Sequence, residues 1–340
     1  MGTLSVDKLV KTSQGAAEFT LPATDGTAGQ VWQTDGSGQI SVAALAADTV
    51  TATQIAADAV TASEIAAGAV GTSEIAALAV GSSPVATGSN IGGSIRIPAA
   101  CCGVVGYKPP YGRNPGGTAG SFDMYHALGP MTRTVSDAAM MQNILCGPHP
   151  LDNASIRPKY VLPDTYEDIQ GLRIAWSMDL GFFEVDEHVQ ANTLKTLDVL
   201  KDLGAELVEV DFGWSAEADR ALQNYLDHLF NGNIKAIVDT DPDLATPWAT
   251  YCANAAGKTS AMDFSAAYET QAKMSRHVGA IMDDCYAFIC PTNSFHEIPA
   301  DQHPDEPLVI NGKTVDPLYG WCMAHPFNML GRLPVLSVPS

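Results

Sequence analysis

Gly92-Gly93-Ser94, within TGSNIGGSIRIPAACCGVVGYKPPYGR (residues 87–113), is where this sequence is best equipped for chemistry. Glycine has no Cβ, so backbone there approaches a ligand closely. Successive N–H groups in such a turn converge into a nest that holds an anion. A serine closing the turn sets its hydroxyl beside those donors. A nucleophile next to an oxyanion hole is what acyl transfer requires. By itself the tripeptide also fits an ordinary loop, and the G-x-S-x-G nucleophile elbow is absent. Other reactive side chains are less organised. His296 and His303, in NSFHEIPADQHPDE, lack the H-E-x-x-H spacing of a helical metal site and read as part of a polar loop near a substrate pocket. Adjacent Cys101 and Cys102 are too strained to bridge each other and read as small buried packing residues. Trp214, Trp248 and Trp321 read as core, with pocket lining as the alternative.

The longer stretch resembles the amidase signature family, whose hallmark is close to G-S-D-x-G-G-S-I-R-I-P-A-A-x-C-G-V-V-G-x-K-P-x-Y-G-R. Gly88, Ser89, the run from Gly92 to Ala100, the run from Cys102 to Gly106, Lys108, Pro109 and the run from Tyr111 to Arg113 match it. Leu128 to Ala139, Pro291-Thr292 and Leu333 to Pro339 resemble later pieces of the family core. The resemblance covers about residues 83–340. It implies a C–N hydrolase that acts on a small-molecule carboxamide through an acyl-serine intermediate, with no cofactor and no metal. Ser94 then stands as nucleophile, and the N–H groups of Ile91, Gly92, Gly93 and Ser94 as oxyanion donors. Lys108 belongs to the family's G-x-K-P segment, where the lysine is structural.

The chain also departs from the family pattern. The family's proton-relaying serine, held by a cis peptide, sits 24 residues before the nucleophile, where this sequence has Val70. The family lysine lies in a V-K-D context that Lys8 and Lys11 do not match. Asn90 stands at the usual Asp, and the sequence stops at Ser340, short of further core strands. The expectation is a core incomplete at both ends, with impaired activity. A gene fusion, a viral recombinant or a misassembled sequence would each give this pattern.

The elements that must position the turn read as α/β. Val104-Val105 between glycines, Leu172–Trp176, Glu206–Val210 and Tyr286–Cys290 read as strands. Residues 187–203, with Leu194, Leu197, Leu200 and Leu203 and closed by Gly204, read as a helix. Residues 215–239 and 261–283 read as two longer helices. Alternation of strand and helix predicts a mixed sheet with helices on both faces.

The N-terminal part differs. Decapeptide units VTATQIAADA, VTASEIAAGA and VGTSEIAALA place Val50, Val60, Val70 and Val80 ten residues apart. One unit buries too little alone, so the repeats either stack and associate with other copies or form an Ala-rich linker. Asp25-Gly26, Asp35-Gly36 and Ser37-Gly38 are hairpin and turn signals between short β-prone runs. Residues 15–80 resemble bacteriophage tail-fibre sequences. The division expected is a fibre-like segment (1–39), repeats or linker (40–82) and the amidase-like core (83–340). A structural fibre-like fusion protein with an inactive amidase remnant is the alternative reading.

The chain has 340 residues and a formal net charge of −20, with 18 Lys plus Arg against 38 Asp plus Glu. That excludes nucleic acid as a main partner and a polybasic membrane anchor. No apolar run reaches membrane-spanning length, and the N-terminus has no signal-peptide stretch. Seven cysteines without CxxC spacing read as reduced thiols of a cytoplasmic protein, the virion being the location under the fibre reading.

Overall fold

The computed structural model describes residues 85–117, 122–163, 165–296, 298–299 and 301–340, together with the backbone of four short N-terminal strands. Backbone proximity divides the chain into Met1–Val70 and Gly71–Ser340. In the first unit, β1 (Lys8–Val10) pairs antiparallel with β2 (Glu18–Thr20). Likewise β3 (Gln30–Thr34) pairs with β4 (Ile40–Ala44), Trp32 opposite Val42. The Asp35-Gly36 and Ser37-Gly38 signals fall between those two strands, as a hairpin requires. The decapeptide repeats and Val70 lie outside the described residues.

The second unit is mixed α/β, as the alternation of strand and helix predicts, with its described strands in a four-stranded sheet, a three-stranded sheet and a hairpin. β5 (Val85–Asn90), β6 (Val105–Lys108), β7 (Ala127–Thr132) and β13 (Val335–Ser337) form an antiparallel sheet in the order β13-β6-β7-β5. β8 (Arg173–Trp176), β9 (Glu206–Glu209) and β10 (Ala287–Ile289) form a parallel sheet in the order β10-β8-β9. A hairpin of β11 (Leu308–Ile310) and β12 (Lys313–Val315) stands apart.

The helices are α1 (Arg96–Cys101), α2 (Val135–Leu145), α3 (Glu187–Asp202), α4 (Ala216–Leu229), α5 (Asn231–Thr240), α6 (Pro247–Ala255), α7 (Ala261–Met282) and α8 (Pro326–Met329). Side-chain caps start several of them. Thr134 accepts from the Asp137 N–H, and Ser260 with Asp263 makes a capping box. Gly204, at φ +92°, ends α3 in the left-handed region. Among the described residues no helix is long and apolar enough to cross a membrane.

Two readings of the helices change. The segment 215–239 is two helices, broken at Phe230 and Asn231, where Asn231 is buried and its amide donates to Asp227 at 2.6 Å. In α3 only Leu197 is buried, while Leu194 and Leu203 are exposed. Steps of three residues advance about 300° each, so four such leucines spread around half the helix rather than lining one face.

The core lies where α4 and α7 pack together. Leu222, Tyr225 and Leu226 of α4 and Ala267, Met274 and Val278 of α7 meet Phe212, Trp214 and Phe327 there. Phe212 stacks edge-on against both Trp214 and Phe288, ring centroids 4.6 and 4.3 Å apart. Trp214 is therefore core, Trp248 is exposed, and the Trp321 indole donates to the Pro317 carbonyl at 3.0 Å.

The antiparallel sheet has a glycine saddle. A Cβ on Gly88 (β5), Gly106 (β6) or Gly129 (β7) would lie 3.0–3.2 Å from Ile95 side-chain atoms, and Ile95 is fully buried in the space they leave. At Gly129 a Cβ would also lie 2.1 Å from the Tyr107 carbonyl oxygen, a backbone atom unable to retreat without breaking the sheet. Gly129→Ala should therefore destabilise the chain by about 3 kcal/mol or more, the upper range for overpacking. Urea unfolding against wild type measures it, and an unchanged midpoint would show that the sheet shifts freely.

Candidate active site

β5 delivers the chain to the turn and α1 carries it away. Ile91, Gly92, Gly93 and Ser94 are therefore consecutive in one bend between a strand and a helix. Gly93 has φ +120°, a conformation L side chains rarely adopt, and a Cβ there would sit 2.6 Å from Ile97 Cδ1. The turn is locked from both ends. The Gly93 carbonyl accepts from the Ile97 N–H at 2.8 Å, and Asn90 Oδ1 accepts from the Ile95 N–H at 3.3 Å. Ile95, seated in the glycine saddle, anchors the residue next to Ser94 to the sheet. Gly92 and Gly93 are buried, whereas Ser94 is exposed.

Among the described residues, none of the four N–H groups from Ile91 to Ser94 donates to a protein acceptor. Buried N–H groups without an acceptor are rare in folded proteins. Here Gly92 and Gly93 are buried, Ile91 is half-buried and Ser94 is exposed; a run of such N–H groups beside a hydroxyl is the kind of arrangement that can hold a developing negative charge.

Sequence reasoning missed the groups beneath the turn. Arg96 is buried, and its Nη2 donates to Asn328 Oδ1. The Asn328 amide donates in turn to the carbonyls of Asn90 (3.3 Å) and Tyr125 (2.9 Å). Burial pushes the Arg96 guanidinium down to about 9 and the nearby Cys290 thiol up to about 12. Arg96 lies within the motif, but nothing local to it indicates Asn328, 232 residues away.

Lys108 holds a structural position. Its Nζ donates to the Leu333 carbonyl at 2.7 Å and to those of Pro109 and Gly331 at 3.4 Å, tying β6 to the segment that enters β13. Burial, then the neighbouring Arg96 charge, pushes the ammonium from its ordinary 10.5 down to about 7. In the unfolded chain Lys108 keeps its proton to about pH 10.4. Between about pH 7 and 10 the unfolded state then binds more protons, so stability rises with pH; below pH 7 both states are charged and the full cost of burial is felt. Wild type should accordingly gain stability relative to Lys108→Met between pH 7 and 9.5 in urea unfolding. A constant gap would show that the three carbonyls keep the ammonium charged.

Other predicted residues fall elsewhere. Cys101 and Cys102 are exposed, not buried packing residues: α1 ends there and turns outward at Gly103, whose Cβ direction is open. All seven cysteines are free thiols. His303 Nδ1 lies 3.7 Å from Asp305. Asp186, His188 and His296 each offer a metal-ligand atom, all within 4.8 Å of one another. The Asp186 carboxylate already caps α3, accepting from the His188 N–H at 2.9 Å, and faces His296 Nδ1 at 3.0 Å. It also sits at the positive end of a helix dipole, which disfavours a cation.

The Amidase family model matches residues 62–340, beginning upstream of the boundary at 83 read from the motifs. An acylamidase of Rhodococcus erythropolis is 32% identical over 269 residues, covering 75% of this chain and 54% of the relative. An amidase of Pseudomonas putida is 29% identical, covering 75% and 55%. A bacterial aryl acylamidase of the amidase signature enzymes superposes with a TM-score of 0.69 at 28% identity, over 79% of this chain and 58% of that one. The chain thus spans about half the length of the curated relatives it matches. With the family's motif built into a strand–turn–helix bend and the family model matched over most of the sequence, this chain belongs to the amidase signature family.

Proposed function

We propose that the chain carries the acyl-transfer half of a small-molecule carboxamide hydrolase, with Ser94 as nucleophile. The observation that carries this reading is the run of four N–H groups, Ile91 to Ser94, that have no protein acceptor among the described residues and end at an exposed serine. Ser94 Oγ bonds to the substrate carbonyl carbon, and the C=O electron pair moves onto oxygen, which those N–H groups receive. The pair returns, the C–N bond breaks, and the amine leaves with a proton. Water then attacks the ester, releasing the carboxylic acid and restoring the Ser94 hydroxyl. The donors come from the backbone, so they need no reorganisation as charge develops. The acylamidase and amidase relatives support an amide substrate. Impaired turnover and the fibre-like alternative were read from Val70, the repeats and the N-terminal lysines, whose side chains lie outside the described residues.

Incubation with an aryl acylamide, quenching in acid and peptide mapping by mass spectrometry test the reading. The expected result is an acyl group on the peptide containing Ser94. Product release with the acyl group on another residue would overturn it.

A further inference from the structure

Two histidines and an aspartate from distant parts of the chain close on one point outside the parallel sheet. From β8, the middle strand of that sheet, the chain crosses through α3 to β9 on one side. After β9 it returns to β10 on the other side. The connections part between the carboxyl ends of β8 and β10, and in open α/β sheets such a point is where a crevice takes a ligand. Asp186 and His188 stand on the segment that leaves β8 and enters α3, and His296 on the segment that leaves β10. The two segments are tied there, because the Asp186 N–H donates to the carbonyl of buried Ser294 at 2.8 Å.

Asp186 Oδ1 lies 3.0 Å from His296 Nδ1, and the rings of His188 and His296 meet edge-on with centroids 4.9 Å apart. One ligand atom from each of the three residues lies within 4.8 Å of the others. Zinc holds imidazole nitrogen and carboxylate oxygen at about 2.0–2.2 Å, which sets tetrahedral ligand atoms ~3.3 Å apart. The aspartate–histidine pair is near that spacing, and rotation of the second imidazole closes the rest. Both histidines are exposed, so an ion can enter and keep water in its fourth position. Asp186 is preset by its cap bond to the His188 N–H. The dipole of α3 opposes a cation with roughly half an elementary charge. Asp186 carries a full negative charge at that end and Glu187, in the first turn, another, so the balance there is negative. Two imidazoles with one carboxylate suit zinc, whereas magnesium and calcium take oxygen ligands.

We propose that Asp186, His188 and His296 bind one zinc ion, which clamps the segment after β10 onto the start of α3. The proposal stands apart from Ser94 and from the reaction proposed for it.

The test uses the tag-free 340-residue chain, stripped with a chelator and kept above the ordinary imidazole pKa of about 6.5 so that both rings can ligate. Zinc is titrated against a chromophoric zinc indicator for wild type, His188→Gln, His296→Gln and Asp186→Asn, the last of which keeps a capping side chain. Wild type should take up one tight equivalent. Each variant should bind at least about tenfold more weakly, the least that even an outer-shell partner of a metal is worth. Zinc should also raise the wild-type melting midpoint by about 2–4 °C and leave that of His296→Gln unmoved. The seven free thiols are the rival ligands, and cobalt separates them. Cobalt at the proposed site gives only weak ligand-field bands, whereas cobalt on cysteine adds strong thiolate charge transfer. Both histidine variants change exposed side chains, so they carry the test even if Asp186→Asn fails to fold. No tight equivalent in wild type overturns the site and leaves the Asp186–His296 contact an ordinary ion pair. Affinity within threefold of wild type in folded His188→Gln and His296→Gln, or thiolate charge transfer at the tight equivalent, overturns it as well.

Discussion

If Ser94 is the nucleophile we propose, replacing it with alanine should lower hydrolysis of an aryl acylamide by about 10⁴-fold or more, with no change in fold. Removing the nucleophile removes the covalent route altogether. What survives is binding and the backbone oxyanion donors, which in serine proteases leave about 10³–10⁴-fold catalysis over water. Exposure of the Ser94 side chain makes the experiment clean. Ser94 is exposed and its hydroxyl takes no part in the contacts that hold the turn, so the substitution costs within about 0.5 kcal/mol and stability and activity separate. The turn keeps its shape because Gly93 φ, the Ile97 N–H bond and the seat of Ile95 do not involve the hydroxyl. Steady-state rates for both proteins, beside matched urea unfolding curves, give the result. Retained amide turnover in a folded Ser94→Ala protein would mean that another residue attacks the carbonyl.

Replacing Asn328 with alanine costs about 3 kcal/mol or more of folding stability, the upper range for leaving a buried, charged donor without its hydrogen-bond acceptor. Asn328 is fully buried and ties three segments together: the Arg96 guanidinium, the Asn90 carbonyl at the end of β5 and the Tyr125 carbonyl before β7. Arg96 already has Nε and Nη1 without partners, so losing Asn328 strands a whole buried cation. It also leaves two carbonyls without this donor. Against the roughly 5–15 kcal/mol that a domain has in total, this is a large fraction. Asn328→Asp should cost less, since a carboxylate faces Arg96, but it still loses both N–H donations. Urea midpoints should therefore rank wild type above Asn328→Asp above Asn328→Ala. Equal midpoints for wild type and Asn328→Ala would show that the guanidinium is satisfied without it.

How far the sequence reaches depends on the range of the forces involved. The helix at 261–282 was legible because its start is local chemistry, Ser260 and Asp263 three residues apart. The β3–β4 pairing was legible for the same reason, since turn residues sit between two β-prone runs. The break at Phe230 was not, because it follows from burying Asn231, and burial is set by what packs on the helix. The cysteines misled in the same way. Their composition favours the interior, but α1 ends at that point and faces them outward.

The bend itself was legible in the sequence: Ile91 to Ser94, two of them glycines, turn the chain between β5 and α1. Gly88, Gly106 and Gly129 were visible as glycines, yet their shared purpose as the seat of Ile95 exists only once three strands lie side by side. The same is true of Arg96 with Asn328, of Lys108 with Leu333, and of Asp186 with His296. A sequence states how many hydrogen bonds and charges each side chain brings, whereas which of them meet across a hundred or more residues is decided by the packing of the sheets and helices between them.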